Sequence, residues 1–539
     1  MSTGSGWFLA PRTVAQPLIH RWYAWPHLLS PHTAALNLRD RQLQVMRSYV
    51  KAPHLHERAL RDPAMFGGPF LDPGTATVAD IEALVERTTS AAAPLLRLAE
   101  DIDDARRLLR EKADGGPLSA LYPLLGDTLR GRVELAYDTS HHPQVRFFEP
   151  LLYASAALYD RSAQTVSLRT GPDPAQPFIF NSPVMPDPQR VDLPVPFDAP
   201  ELDALFGAAP SGVDPEELAR TLDVAPDRRA LFRTLFTDTP PAPPSPVAEG
   251  VRMRFFGHAC VLLESAAGSV LMDPLIGYDG DGHDHFTFED LPARIDAIVL
   301  SHAHPDHVGI ETLLRLRHRT DTVIVPRDSG GSLADPGLGV LLENLGFRTV
   351  RRVQELESVG IAEGITVTAL PFLGEHADLD IWSKSVFLVR MDDRSLLFAT
   401  DTTLLEPALY DLLSDLLPPI DALFIGLESV GAPASWLYGP LLETRLPREV
   451  DQRRRISGSD AVMAAEIARR VRARQVYVYA MGLEPWLRHI TGSSYDPDSE
   501  QLRQTRMLLE TCTARQVPAE LLHLRKEMFF PPVTPSARH

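Results

Sequence analysis

The chain has 539 residues, too many for one ordinary core, and at about 150 residues per domain it divides into two to four units. Its 44% hydrophobic and 23% charged content is that of a globular protein rather than a disordered one. The net charge of −18 argues against binding nucleic acid or anionic membrane through a basic face, and two cysteines, Cys260 and Cys512, are too few for a disulfide framework or a Cys-rich zinc module.

The opening residues carry neither a basic segment nor an apolar run, and no stretch of about 18 apolar residues follows, so a cytoplasmic protein without signal peptide or membrane span is expected. Residues 79–113 have helical spacing of Ile81, Leu84, Val85, Leu95, Leu98, Ile102 and Leu109, with Pro94 dividing two helices. Val145–Phe148 and Thr165–Leu168 read as strands. Asp214-Pro215-Glu216-Glu217 starts another helix, with a capping side chain, proline in the first turn and acids that suit the dipole. None of the seven histidines before residue 238 has paired ligand spacing beside acids.

Five prolines within Asp238–Pro246 favour a stiff, extended connector. We place the domain junction there, giving an N-terminal mixed α/β domain, 1–245, and a C-terminal domain, 246–539. The second domain opens with short strand-like runs, Val251–Phe256, Cys260–Glu264 and Ser269–Met272. Cys260 in such a run is read as a buried small hydrophobe. Further runs, Ile295–Leu300, Thr322–Val325, Ser385–Val389, Ser395–Thr400 and Ala422–Ile425, alternate with helices, the pattern of a layered α+β domain.

Chemistry concentrates in Ser301-His302-Ala303-His304-Pro305-Asp306-His307, directly after an apolar run. Pro305 keeps four ligand-type side chains in a turn, where His302 and His304 point one way while Asp306 and His307 reach a second position. One loop can thus serve two metals about 3.5–4 Å apart. Two shells need more ligands, and Gly374-Glu375-His376 and Thr400-Asp401 supply them after later strands, with Asp401 suited to bridging. Glu375 and His376 are alternatives, because neighbours in an extended segment point opposite ways. The His283/His285 pair lies in an acidic glycine-rich stretch and is read as a solvated loop. Trp436, Tyr438 and Trp486 are read first as core packing, with a substrate channel as the other possibility.

Residues from about 251 to 485 resemble the metallo-β-lactamase superfamily through Phe256-Gly-His258-Ala, Met272-Asp273-Pro274, the His302–His307 motif and Thr400-Asp401. This resemblance implies an αββα sandwich with metals at one sheet edge. Zinc hydrolases of that superfamily carry a terminal histidine where this chain reads Ala480-Met-Gly-Leu-Glu-Pro-Trp486; His489 lies farther on, in an expected helix. Over the whole chain the sequence resembles the non-haem diiron β-hydroxylases of nonribosomal peptide pathways, including Trp22-Tyr-Ala-Trp-Pro26, Gly67-Gly-Pro-Phe70, Gly374-Glu-His-Ala-Asp-Leu379 and Trp436-Leu-Tyr-Gly-Pro440.

The second resemblance implies His302, His304, Asp306, His307, Glu375 and Asp401 as iron ligands, with Glu375 and Asp401 also catalytic. It implies two iron ions, O₂ as co-substrate and an external electron donor. It further implies an amino acid tethered as a thioester to a peptidyl-carrier domain of a nonribosomal peptide synthetase as substrate. By analogy the N-terminal domain would form a homodimer and help dock the carrier. The alternative is a dizinc hydrolase acting on a lactone, thioester or phosphodiester. An oxygen-rich donor set suits iron better than a histidine-dominated one does, and zinc has no redox chemistry.

Overall fold

Two seven-stranded sheets face each other in the C-terminal half. In the first the strand order is Val350–Val353, Thr320–Pro326, Ile295–Val299, Ser269–Met272, Cys260–Glu264, Val251–Gly257 and Lys526–Phe530. In the second it is Ser358–Ala362, Ile365–Leu370, Val386–Met391, Arg394–Thr400, Ala422–Ile425, Val476–Val478 and Ala519–Leu521. The computed structural model describes residues 6–62, 65–173, 176–242, 244–280, 282–492 and 495–532.

Strands covered on both faces read as continuous apolar runs, which is why Ile295–Val299 and its neighbours lack alternation. Phe255, Leu263, Met272 and Val299 of the first sheet meet Val367, Phe387, Phe398 and Phe424 of the second in one buried layer. On the outer face of the second sheet, Leu397, Leu423 and Ile425 pack with Tyr410, Ile467 and Leu508, which lie on helices Pro407–Leu416, Ala461–Arg470 and Glu500–Ala514. Leu262, Ile298 and Val323 on the other outer face pack with Leu313, Leu341, Leu202 and Phe206. The resulting order is the expected αββα sandwich.

The N-terminal half carries an antiparallel sheet in the order Trp22–Tyr23, Thr13–Ile19, Gln164–Thr170, Val191–Leu193. The reading of 79–113 as two helices holds, as Val78–Ala91 and Ala93–Lys112 with Pro94 in the first turn of the second. Asp214 caps its helix by accepting from the Glu216 N–H. The strand expected at Val145–Phe148 is Pro143–Phe147, paired with Val133–Tyr137. The halves share cores. One cluster joins Trp22, Trp25, Leu98 and Phe147 to Leu275, Leu437 and Leu487 of the sandwich. Among the described residues, no helix is long and apolar enough to cross a membrane.

Candidate metal centre

The site lies where parallel-running strands of both sheets end at one edge. Ile295–Val299 leads into the His302–His307 turn, Ser269–Met272 into Asp273, Ile365–Leu370 toward Glu375, and Arg394–Thr400 into Asp401. Backbone strain gathers there. His258, Asp273, Glu375, Thr400 and Ala480 all have positive φ, between 37° and 65°, which L side chains rarely adopt. Gly426 also has a reason to be glycine, since a Cβ there would lie 2.6 Å from Asp401 Oδ1.

Three groups of potential ligand atoms each fall within 4.8 Å: His302, His304 and Glu375; His302, His307 and Asp401; and His258, Asp306 and His307. His302 and His307 are fully buried, and His304, Glu375 and Asp401 nearly so. Asp401 Oδ2 lies 3.0 Å from His307 Nε2 and 3.7 Å from His302 Nε2. His302 therefore stands between the Glu375 and Asp401 groups rather than siding with His304 alone.

Hydrogen bonds set which nitrogen of each imidazole is left bare. Ser301 Oγ gives its proton to Asp273 Oδ2 at 2.6 Å, so it accepts from His302 Nδ1–H at 2.9 Å. His307 Nδ1–H donates to the same Asp273 oxygen at 3.0 Å. The Nε2 atoms of His302 and His307 are buried with no hydrogen-bond partner. His304 is turned the other way: Nε2 lies 3.0 Å from the Tyr438 hydroxyl and Nδ1 2.5 Å from Glu375 Oε1. With Nε2–H given to Tyr438, Nδ1 faces the cluster. Asp401 Oδ1 also lacks a hydrogen-bond partner. Buried polar atoms without partners are costly, and this convergence of imidazole nitrogens and carboxylate oxygens fits divalent metal ions.

Charge coupling is strong. Burial opposes ionisation of Glu375, but His304, His376 and His302 reverse that and hold its carboxyl well below the usual range. Burial raises Asp401, with Glu375 and Asp306 adding to the effect. Burial likewise lowers His307, but Asp401 and Asp273 more than reverse it and hold the imidazole well above its ordinary value. His302 stays well below, through burial and His307. Glu428, after strand Ala422–Ile425, is pushed well above its ordinary value by burial and by Asp401, Asp306 and Glu375.

Several expectations need correcting. The Glu375 segment is not extended: with Glu375 at φ 65° and Ala377 at φ 52°, His376 curls back until its Nδ1 lies 2.8 Å from Glu375 Oε2. His285 is not solvated but buried, stacked on Trp486 at 4.2 Å between ring centroids. Neither His283 nor His285 joins a metal-type group among the described residues. Tyr438 does more than pack, because its hydroxyl meets His304. His489 sits in a short helix, with its ring 6.1 Å from that of Tyr23, and belongs to no such group. Cys260 is buried as expected, and burial pushes its thiol up.

A model of the diiron non-heme β-hydroxylase N-terminal domain matches residues 8–240, and a β-lactamase superfamily domain matches 269–479. Over 529 residues the chain is 39% identical to the 4-amino-L-phenylalanyl-[CmlP-peptidyl-carrier-protein] 3-hydroxylase of Streptomyces venezuelae, covering 95% of this chain and 98% of that protein. The chain belongs to the diiron β-hydroxylase family. It is thus an enzyme of the non-haem diiron oxygenase class. The crystal structure of CmlA, a diiron β-hydroxylase from Streptomyces venezuelae, matches with TM-score 0.91 and 37% identity over 97% of this chain and 99% of that one. A UPF0173 metal-dependent hydrolase from Opitutus terrae is 30% identical over 164 residues, or 29% of this chain and 64% of that protein.

In this diiron β-hydroxylase homologue, sequence reasoning missed His258, Asp273 and Tyr438 as parts of the site. His258 Nδ1 accepts from the Gly482 N–H at 3.1 Å, which leaves its buried Nε2 without a hydrogen-bond partner, 3.3 Å from Asp306 Oδ2 and in the group with Asp306 and His307. The loop signal Phe256-Gly-His258 was visible, but its partner Asp306 was not. Tyr438→Phe is expected to weaken metal binding about 10–100-fold with little change in unfolding midpoint, since it removes the group that fixes the His304 tautomer. Chelator competition measures this, and an unchanged affinity would remove Tyr438 from the site.

A second expectation concerns pH. Asp401 and Asp273 hold the His307 imidazole well above its ordinary value in the metal-free protein, so they favour the form that carries a proton on Nε2, which a metal taking that atom must displace. Metal affinity should rise with pH through neutrality and level off only above the raised value for His307. The His307 contribution to metal-free stability has the opposite sense: complete below about pH 6.5, it is lost as pH rises through the folded value. Metal addition to weakly buffered protein near neutrality should release protons, and zero release would contradict this account.

Proposed function

We propose that the chain is an O₂-dependent diiron monooxygenase that β-hydroxylates an amino acid held as a thioester on a peptidyl-carrier domain of a nonribosomal peptide synthetase. The observation that carries this reading is the end-to-end match to a carrier-protein 3-hydroxylase, 39% identical over 529 residues. The donor set supports it. Three imidazoles with carboxylates at Asp306, Glu375 and Asp401 form an oxygen-rich cluster suited to iron in two oxidation states.

His302, His304, Asp306, His307, Glu375 and Asp401 would hold two irons, which would supply O₂ activation, with two electrons from an external reductant or electron-transfer protein and two protons from solvent. One oxygen atom enters the β C–H bond and the other leaves as water. The chain's own contribution is to hold the ligands without rearrangement. Asp273 and Ser301 orient His302 and His307, Tyr438 orients His304, and His376 backs Glu375. Burial of these groups excludes bulk water from the oxidising centre. We assign the carrier-docking face and a homodimer contact to the N-terminal domain, and a cytoplasmic setting to the enzyme.

The test is metal analysis after expression with iron and zinc both present, then incubation of aminoacyl-loaded carrier with reductant and isotope-labelled O₂. About two irons per chain and one labelled oxygen on the β-carbon are expected. Two zincs, with no O₂-dependent product after iron reconstitution, would move the reading to a hydrolase.

A further inference from the structure

A continuous path of aromatic rings leads from the metal centre to a cavity between the two halves. The His304 ring, whose Nε2 meets the Tyr438 hydroxyl, has its centroid 6.3 Å from that of Tyr438. Tyr438 is 6.1 Å from His27, and His27 is 5.1 Å from Trp25. Phe180 then stands between two indoles, 4.6 Å from Trp25 and 5.1 Å from Trp436. Tyr438, His27, Trp25 and Phe180 are all buried. Trp436 is only partly buried and lines a cavity of about 1170 Å³.

Tilted and edge-on contacts of this kind also serve packing. What sets this path apart is that it begins at a ligand candidate and carries one indole inside and one at its outer end. An indole gives up an electron far more readily than imidazole or phenyl does. Tyr438 is no stopping point, because the His304 N–H already occupies its hydroxyl and His304 offers no base for the phenol proton. An oxidising centre must also be kept from reacting with its own surroundings. We propose that Trp25 and Trp436 form an electron relay that discharges the centre when O₂ is consumed with no carrier-bound substrate in place. This function rests on the proposed diiron reading. Reduction of O₂ to two waters takes four electrons and four protons; two electrons come with the reduced centre and two come through the relay, one at a time. In each passage Trp25 gives an electron to the centre, Trp436 refills Trp25, and a small one-electron donor such as ascorbate refills Trp436. Each indole passes through its radical cation and returns with no atom gained or lost, and the protons come from solvent.

The test is exposure of the reduced, iron-loaded chain to O₂ without carrier and with catalase present, followed by freeze-quench electron paramagnetic resonance and peptide mass spectrometry. A transient radical should appear whose signal narrows when the tryptophans are ring-deuterated, and oxidised Trp436 should follow. Ascorbate, or loaded carrier, should suppress both. Trp382 is 52% exposed but off the path, so it should stay unmodified, which separates a relay from diffusible oxidants. Trp25→Phe should abolish oxidation of Trp436, and Trp436→Phe should leave the damage on Trp25, both with hydroxylation of loaded carrier retained. Should Trp25→Phe not fold, the site of damage in Trp436→Phe decides. Unmodified Trp436 in the unsubstituted chain, equal oxidation of Trp382, undiminished oxidation of Trp436 in Trp25→Phe, or an unmodified Trp25 in Trp436→Phe would each overturn the relay. Any of these alongside hydroxylated carrier substrate leaves the diiron reading standing, whereas the absence of both hydroxylated substrate and radical would remove the two together.

Discussion

Asp401→Ala is expected to abolish O₂-dependent hydroxylation and to release metal from a chain that still folds. The Asp401 carboxylate faces the bare Nε2 atoms of both His307 and His302, so it is the acid placed to serve two ions at once. Its removal should lower metal affinity by more than the roughly 10–100-fold typical of outer-shell changes. The metal-free protein should lose a little stability, because Asp401 is a partner that holds the His307 imidazole above its ordinary value, while burial works against Asp401 itself when ionised. A loss of metal far larger than the loss of stability separates a ligand from a purely structural residue. Asp401→Asn keeps the shape without the charge and should retain partial metal binding. Asp401→Glu should not rescue, because the longer side chain displaces the carboxylate from its place 3.0 Å from His307 Nε2 and 3.7 Å from His302 Nε2. Metal content, single-turnover product and denaturant unfolding measure the three effects, and full activity of the alanine variant would end the bridging role.

The part of this centre that could be read from sequence is the part that is local in the chain. His302, His304, Asp306 and His307 declare themselves because four ligand types follow one apolar run, and a strand end is where such a turn emerges. Glu375 and Asp401 were legible more weakly, as acids that follow later apolar runs, and the family resemblance was needed to choose Glu375 over His376. Tyr438 was out of reach because it is 134 residues from His304, and its role depends on one hydroxyl meeting one ring nitrogen. His285 was misread for a related reason. Its segment is acidic and glycine-rich, but the absence of a side chain at Gly277 is what admits its ring beside Trp486. Strand existence followed from apolar runs, whereas pairing did not: the last strand, Lys526–Phe530, returns to pair with Val251–Gly257 across more than half the sandwich sequence.

Asp273→Ala is expected to be the most damaging single change outside the ligands, in stability as well as metal content. Asp273 is fully buried and accepts three hydrogen bonds, from the Ser301 N–H at 2.6 Å, Ser301 Oγ at 2.6 Å and His307 Nδ1 at 3.0 Å. Truncation strands all three donors in a dry interior, which costs about 3–5 kcal/mol where a charged partner is removed. Alanine also inherits a φ of 37°, which a residue without a hydrogen-bonding side chain adopts poorly. The effect on metal is indirect. Without Asp273 nothing holds the His307 Nδ1–H, and Ser301 no longer has a fixed acceptor for its own proton, so both His307 and His302 lose their orientation. Asp273→Asn should fall between, because its amide presents one acceptor and one donor to groups that need only acceptors. Unfolding measured on metal-free protein isolates the first effect, and metal titration measured where the variant remains folded isolates the second. Retention of both would mean that the His302 and His307 tautomers are set by the metals themselves and not by the loop that carries them.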